Sequence, residues 1–549
     1  MKQRIYIAGF LLTVLIASSG CKKYLNINSD PDTTQAPSVA SVFPAMLAAV
    51  PRGIQYDARY VGKYIQNWLT LNNNNNDVWD THSYVANSDA SGDIWRQTYY
   101  GLGKNLDYII TSADRDKKYD YVGAAMALKA YMFQTATDYH GEIIFREAFK
   151  ENTYYFKYDT QDIVYKGVDS LCRVAIKYLE MAEAVKSTNT LSLSDYSYGG
   201  DVTKWKRFVY GILARNYNHL SNKASYNADS VIKFCNNALT SINDDFVIPF
   251  DASKNDDANF FGPYRDNLSS FRQSNFIVRL LDGTALAGNT WAENRDPRMP
   301  HMISASADTS GTNNGGYRGV NPGTGDPLSA STSGANFRKR VPVLWADSTI
   351  GNPSAATFLD NGKYLFKNKA VMPIMTFAEI NFIKAEAEFR KNNLAGAHAA
   401  YLAGINAHFD FINRNYSSFR GAANIFNGNQ ISATQRNNYL ASRNVKQTSG
   451  LLTMTDIMLQ KYIAGWCWNW VETWVDLRRF HYTDLDPATN DQVFKTFQMP
   501  TYAAVNLGNP VQRVRPRYNS EYVWNLDELR KFGGDKTDYH TYEMWFSKP

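Results

Sequence analysis

Long apolar runs, paired cysteines, basic tracts and catalytic signatures are all scarce or missing in this chain. Beyond the first twenty residues no apolar run approaches the 18 or so residues that read as a spanning helix. Four cysteines, Cys21, Cys172, Cys235 and Cys467, are spread through 549 residues. None forms a C-x-x-C pair, which excludes a zinc ribbon and a thioredoxin-type redox site. If Cys21 is used otherwise, three remain, an awkward number for a disulfide framework, and buried free thiols are the expectation. No Lys/Arg run exceeds three residues and the net charge is +6, so there is no nucleic-acid footprint. There is no H-E-x-x-H, no G-x-S-x-G, no phosphate-binding P-loop and no glycine-rich dinucleotide loop. A glycosidase needs only two carboxylates brought together by the fold. That reading stays open among 52 acidic residues, although a helical array behind a tether speaks against it.

What the chain does have is aromatic surface. Aromatics make up 14 % of it, with 36 Tyr and 12 Trp, residues that bury area yet keep a polar handle for contacts. Hydrophobic residues at 44 % and charged residues at 20 % give a globular composition.

The N-terminus reads as a secretory signal. Met1 to Arg4 is basic, Ile5 to Ala17 is apolar but too short to span, and Ser18-Ser19-Gly20 supplies small residues for a peptidase. Cys21 follows directly. The arrangement resembles a bacterial lipoprotein signal, which implies lipidation of Cys21 and anchoring without a spanning helix. Ser18 stands where that pattern usually has an aliphatic residue. Acyl chains contribute about 0.8 kcal/mol per buried CH₂, enough together for stable anchoring. Residues 21–37 then form a polar tether.

From residue 38 the pattern is helical. Apolar residues recur at three- and four-residue spacing, with a break expected at Pro51-Arg52-Gly53. Ile94 to Ala113, Tyr121 to Thr137, Ile163 to Ala184, Val202 to Ser221 and Ala228 to Ala238 are expected helices, arriving in pairs as helical hairpins. Thr376 and Glu379 read as a capping box. Asn392-Asn393 is the turn of a hairpin of tetratricopeptide size, roughly 34 residues. Thr455 to Phe480 is the last helical stretch. The expected organisation is one mostly α domain over 38–549. Its scaffold covers 38–242 and 370–482, a Gly/Ser/Asn-rich insertion covers 243–369, and an irregular tail covers 483–549. Loops as long as the insertion are usually functional or disordered. Glu472, Asp476, Arg478 and Arg479 crowd one helix and are read as a structural ion network, since Glu472/Asp476 and Asp476/Arg479 have side-chain pairing spacings. His398 and His408 share a helix face with no carboxylate motif, so packed or solvated histidines are expected.

Five blocks carry a family resemblance. They are Cys21 with KKYLNINSDPDTT, FQTATDYHGEIIFREAF (133–149), ENRDPRMP (293–300), MPIMTFAEINFIKAEAEFR (372–390) and LQKYIAGWCWNWVETWVDLRRF (459–480). In this order they resemble the SusD/RagB family of outer-membrane nutrient-binding lipoproteins of Bacteroidetes, with Glu142 and Ile144 replacing that family's usual Asp and Pro. The resemblance implies a tetratricopeptide-like scaffold whose loops build a ligand surface. It also implies no enzymatic activity and a SusC-like TonB-dependent transporter as partner, for which the protein acts as a lid. A glycan is the expected ligand and a peptide the alternative. Ligand contacts are expected from the early loop, at Asn76, Asp77, Trp79 and Tyr84, and from the insertion, at Trp291, Tyr317, Arg318 and Trp345. Trp95, Trp205 and Trp474 are assigned to the scaffold core. No cofactor is implied, though Asn255-Asp256-Asp257 could supply oxygens to a structural calcium.

Overall fold

The computed structural model describes residues 37–72, 78–85, 87–289, 294–346, 362–417, 419 and 421–549. The first helix, α1 (Val39–Tyr64), starts at Ser38, whose side chain accepts from Ser41 N. It runs straight through Pro44 and Pro51, so the break expected at Pro51 to Gly53 does not occur. Gly53 is instead a point of close approach, because a Cβ there would lie 3.0 Å from Gln97 Cβ. A short strand, β1 (Trp68–Thr70), follows. The helix expected from Ile94 is an interrupted one. Asp93–Arg96 leads into a π-helical turn, Gln97–Gly103, and then into α2 (Lys104–Arg115).

Next come α3 (Tyr119–His140), α4 (Gln161–Ala184), α5 (Val202–Asn218) and α6 (Ala228–Asn237). Each packs on its predecessor as a hairpin partner. The capping logic is local: Asp201 accepts from Lys204 N before α5, and Asn227 from Ser230 N before α6. Strand β2 (Phe246–Ile248) opens the insertion, which also holds β3 (Phe271–Gln273) and α7 (Asn275–Leu281). The scaffold resumes with β4 (Met372–Met375), α8 (Phe377–Arg390) and α9 (Leu394–Asn413), then α10 (Ala433–Leu440). The final helical stretch is two helices, α11 (Met454–Gly465) and α12 (Trp470–Arg479). The chain leaves α11 at Trp466 and turns at Cys467, whose φ is 70°. The fold is mostly α, built from tetratricopeptide-like hairpins. Two antiparallel strand pairs, β1 with β3 and β2 with β4, tie the insertion to the scaffold.

Cys172, Cys235 and Cys467 are free and buried, as expected. Trp95, Trp205 and Trp474 lie in the core. The Thr376–Glu379 box is only half made. Thr376 accepts from Glu379 N at 3.3 Å, but the Glu379 carboxylate grips Arg215 at 2.6 and 2.7 Å instead. The tail has little regular structure, yet it is packed into the body. Gln512 N donates to His540 O, the Gln512 carbonyl accepts from Arg478, and buried Arg513 pairs with Glu142.

The expected ion network exists, mostly between helices rather than along one. Asp476 does pair with Arg479, at 2.6 Å. Glu472 reaches away to His219 at 2.8 Å, whose other nitrogen lies 3.4 Å from Asp138. Asp138, His219 and Glu472 bring their ligand atoms within 4.8 Å of one another, a metal-like geometry. Arg215, 3.9 Å from Glu472, supplies the countercharge there. Burial disfavours the charge on His219, but Glu472 and Asp138 outweigh it and lift the pKa from 6.5 to about 9. A raised folded-state pKa stabilises fully below 6.5 and loses that contribution as pH rises through about 9. Across that window the wild type is expected to lose about 3 kcal/mol. His219→Gln, less stable at pH 6, should show a flatter dependence. Urea titrations at pH 6, 8 and 10 measure this, and parallel curves for the two proteins would refute it.

Candidate functional site

The early loop and the insertion are separated by some two hundred residues of sequence, and β1–β3 pairing brings them together. Trp68 faces Gln273 and Thr70 faces Phe271. Beyond the strands, Leu71 N donates to Ser270 O and Asp326 N to Leu71 O, at 2.8 and 2.9 Å. Asp80 fastens the early loop to β1, since its carboxylate accepts from Thr70 N at 3.0 Å. Gln273 fastens the insertion by donating from Nε2 to Ser304 O and Arg318 O, at 2.7 and 2.8 Å. A Cβ on Gly323, in the insertion, would lie 3.3 Å from Thr81 of the early loop.

The sequence-predicted contact residues divide sharply on this face. Asn76, Asp77 and Trp291, like Cys21, lie outside the described residues. Trp79 is only 4 % exposed, its ring enclosed by Tyr60, Tyr64 and Tyr84 with centroids 4.9 to 5.7 Å away. Trp345 is 1 % exposed and sits in the main core. Neither presents the open ring face that a sugar platform needs, so both are corrected to packing residues. The loops fold back on the scaffold, and the largest apolar side chains in them are what they bury. Arg318 is engaged locally, donating to Asp308 O at 2.7 Å and Ser310 O at 2.6 Å. It braces the turn that carries Tyr317. Tyr84 is half-buried and lines a hollow of about 350 Å³ with Arg515, Tyr518, Tyr522 and His540.

Tyr317 borders the larger opening, a cleft of about 750 Å³ between the insertion and α10. Its floor is the Asp296-Pro297-Arg298 turn. Arg298 is fully buried and spans three scaffold helices. It grips Asp296 at 2.6 Å, meets His408 Nδ1 on α9 at 2.9 Å and donates to Gln460 on α11 at 2.9 Å. Its guanidinium also lies 5.4 Å from the ring of Tyr439 on α10. Burial and Arg298 together hold the His408 pKa well below the ordinary value, so a neutral imidazole accepts that hydrogen bond. His398 is packed too, its Nε2 2.7 Å from Lys446 O.

On this rigid floor stands a polar rim. Arg295 donates to Asn314 O at 3.2 Å. Gln435, Asn438, Ser442 and Arg443 come from α10 and the turn after it, and Gln435, Asn438 and Arg443 are exposed. Gln435 caps α10 through its Oε1, accepting from Ser432 N at 2.9 Å, which leaves its amide N–H groups for the cleft. At the floor, buried Asn294 Oδ1 has no hydrogen-bond partner among the described residues. One ring, several amides and two guanidinium groups around an open cleft suit a ligand with apolar faces and many hydroxyls. Of the residues lining this cleft, the sequence points to Tyr317 and to none of those on α10. Their sequence, A-T-Q-R-N-N-Y-L, reads only as a short, largely polar helix and carries no signal of a site. In the Asn255 to Asp257 turn, Asp257 accepts from Ser253 Oγ and Lys254 N at 2.5 and 2.9 Å, and the Asn255 and Asp256 carbonyls accept from Arg265.

A family model described as SusD-like, "Starch-binding associating with outer membrane", matches residues 32–503. Among solved structures, a SusD/RagB family protein from Bacteroides thetaiotaomicron is 21 % identical with a TM-score of 0.64, the match covering 93 % of this chain and 99 % of that one. A chitin-binding SusD homolog from Flavobacterium johnsoniae is 19 % identical with a TM-score of 0.62, covering 93 % and 98 %. A SusD homolog from Bacteroides fragilis is 18 % identical with a TM-score of 0.64, covering 93 % and 100 %. No curated protein matches.

Proposed function

The chain belongs to the SusD-like family, and on that premise we propose that it captures oligo- or polysaccharide in the Tyr317 cleft as a binding protein without catalytic activity. In this reading it is anchored at the outer membrane through lipidated Cys21, faces the cell exterior, and closes as a lid over a SusC-like TonB-dependent transporter. The family description supports starch-type ligands and outer-membrane association, and one similar structure is named as chitin-binding. The observation that carries the reading is the cleft itself, in which Tyr317 offers a ring and Arg295, Asn438 and Arg443 stand around it. An aromatic ring stacks on the C–H face of a sugar, and planar amides and guanidinium groups share its hydroxyls. A tether would hold the lid beside its transporter at high effective concentration.

The test is calorimetry of the lipid-free chain, residues 22–549, against starch, chitin and other oligosaccharides and against oligopeptides. Tyr317→Ala is expected to weaken the best saccharide at least tenfold, about 1.4 kcal/mol, and, because the half-buried ring also packs against the core, to lower thermal stability modestly without unfolding the protein at the temperature of the titration. Unchanged affinity in Tyr317→Ala would place the site elsewhere. Binding of peptides alone would replace the glycan by a peptide cargo. Release of reducing ends would make the protein an enzyme.

A further inference from the structure

A second cleft, of about 680 Å³, opens along α1 between that helix, the π-helical turn and the loop from Phe250 to Arg265. Its lining is unlike that of the Tyr317 cleft. Arg52, Arg96 and Arg265 surround it, against two carboxylates, Asp93 and Asp256. Among the described residues none of these three arginines has a salt bridge. Arg265 donates to Asn255 O and Asp256 O, both at 3.3 Å, and so braces the loop. Arg52 and Arg96 are exposed, and Arg96 leans toward the ring of Tyr100 at 5.8 Å.

The walls are aromatic. Tyr56 and Phe260 lie 5.8 Å apart, and the Arg59 guanidinium covers Tyr56 at 3.9 Å. Tyr100 is 78 % exposed. Beyond the Arg96 guanidinium, leaving so large a ring in water forgoes the area it could bury.

The backbone here is also unusual. Single π-turns within α-helices are rare and concentrate at functional sites. The turn at Gln97–Gly103 is what swings Tyr100 and Gly101 to the cleft. It is held firmly: Gln97 Nε2 bonds to Ala49 O on α1, and buried Asp57 accepts from Asp93 N and Ile94 N at 3.2 and 2.8 Å. Gly53 lets the two segments touch. The cleft is therefore preformed rather than a gap between mobile loops.

We propose that this second cleft binds a negatively charged saccharide, with Arg52 and Arg96 on its carboxylate or sulfate and Tyr100, Tyr56 and Phe260 against its ring faces. Guanidinium groups bind both anions in a fork geometry, and aromatic walls select a sugar over a bare ion. The site is separate from the Tyr317 cleft and does not depend on the reading of that cleft.

The test uses the lipid-free chain with three probes: an oligogalacturonate, a sulfated oligosaccharide and a neutral oligosaccharide of equal length. At low salt an anionic probe should bind at least tenfold more tightly than the neutral one at this cleft, and weaken steeply with added salt. Arg52→Gln/Arg96→Gln should reduce that binding at least tenfold, and Tyr100→Ala several-fold, while Tyr317→Ala leaves it unchanged. Arg52, Arg96 and Tyr100 are exposed, and an unchanged melting temperature of the variants at these three positions verifies the fold. Which anionic probe binds separates carboxylate from sulfate recognition. The proposal is overturned if neither anionic probe binds, if Arg52→Gln/Arg96→Gln keeps full affinity, if Tyr317→Ala abolishes the binding, or if inorganic sulfate competes as well as the saccharide.

Discussion

Arg479→Leu is expected to destabilise the protein by about 3 kcal/mol, within the 3–5 kcal/mol range for breaking a buried ion pair on one side. The guanidinium is wholly buried. It donates to both oxygens of Glu386 at 2.7 and 2.9 Å, to Asp476 at 2.6 Å and to Ser221 at 2.6 Å. Burial alone would raise the Glu386 pKa, but Arg479 and Arg390 outweigh it and hold the carboxyl well below the usual range. Removing Arg479 leaves two carboxylates in the core. The cost falls at the lower end because each keeps a partner: Glu386 keeps Arg390 at 2.9 Å, and Asp476 keeps Lys461 at 2.8 Å. The reference is Arg173→Leu, which breaks an exposed i,i+4 pair with Asp169 and should cost at most about 1 kcal/mol. Urea titrations of both variants measure the difference. A cost for Arg479→Leu no larger than that of Arg173→Leu would show that the network is dispensable. Adding Glu386→Leu to Arg479→Leu should cost less than the sum of the single changes, because it removes a charge the first change orphaned.

Trp345 gives the second large effect. As a sugar platform, its truncation would reduce affinity and leave stability alone. Its 1 % exposure and place in the main core lead to the opposite expectation. Trp345→Ala should cost about 3–5 kcal/mol, as emptying a buried tryptophan site usually does. Trp345→Phe should be much milder. Among the described residues the indole N–H has no hydrogen-bond partner, so the ring alone contributes, and removing an unpaired buried donor returns part of the lost burial. Thermal unfolding and saccharide calorimetry on both variants separate the roles. Full stability with lost affinity in Trp345→Ala would restore the platform.

Several elements are legible in the order of residues alone. The helices α3, α4, α5 and α6 begin and end within a few residues of their expected positions, because 3.6-residue periodicity and capping residues act over one or two turns. The errors fall where distant contacts override local rules. Local rules place a break at Pro51, yet α1 continues through it. The stretch from Thr455 splits because Cys467 takes a positive φ. Glu379 leaves its capping box for Arg215, 164 residues away in sequence. Of the predicted ligand residues, Tyr317 borders an open cleft while Trp79 and Trp345 are buried, and nothing in their neighbouring residues distinguishes the three.

The helical-hairpin scaffold, the free buried thiols and the family follow from the amino-acid order, since each rests on local spacing or on blocks read in succession. Three things needed the folded chain: which aromatic rings face solvent, which carboxylate each buried arginine meets, and the closing of a cleft by α10 over the Asp296–Arg298 turn. Periodicity assigns a residue to a face of its own helix or loop. What that face meets depends on segments far away in sequence, and the burial of one surface by another leaves no pattern in either segment alone.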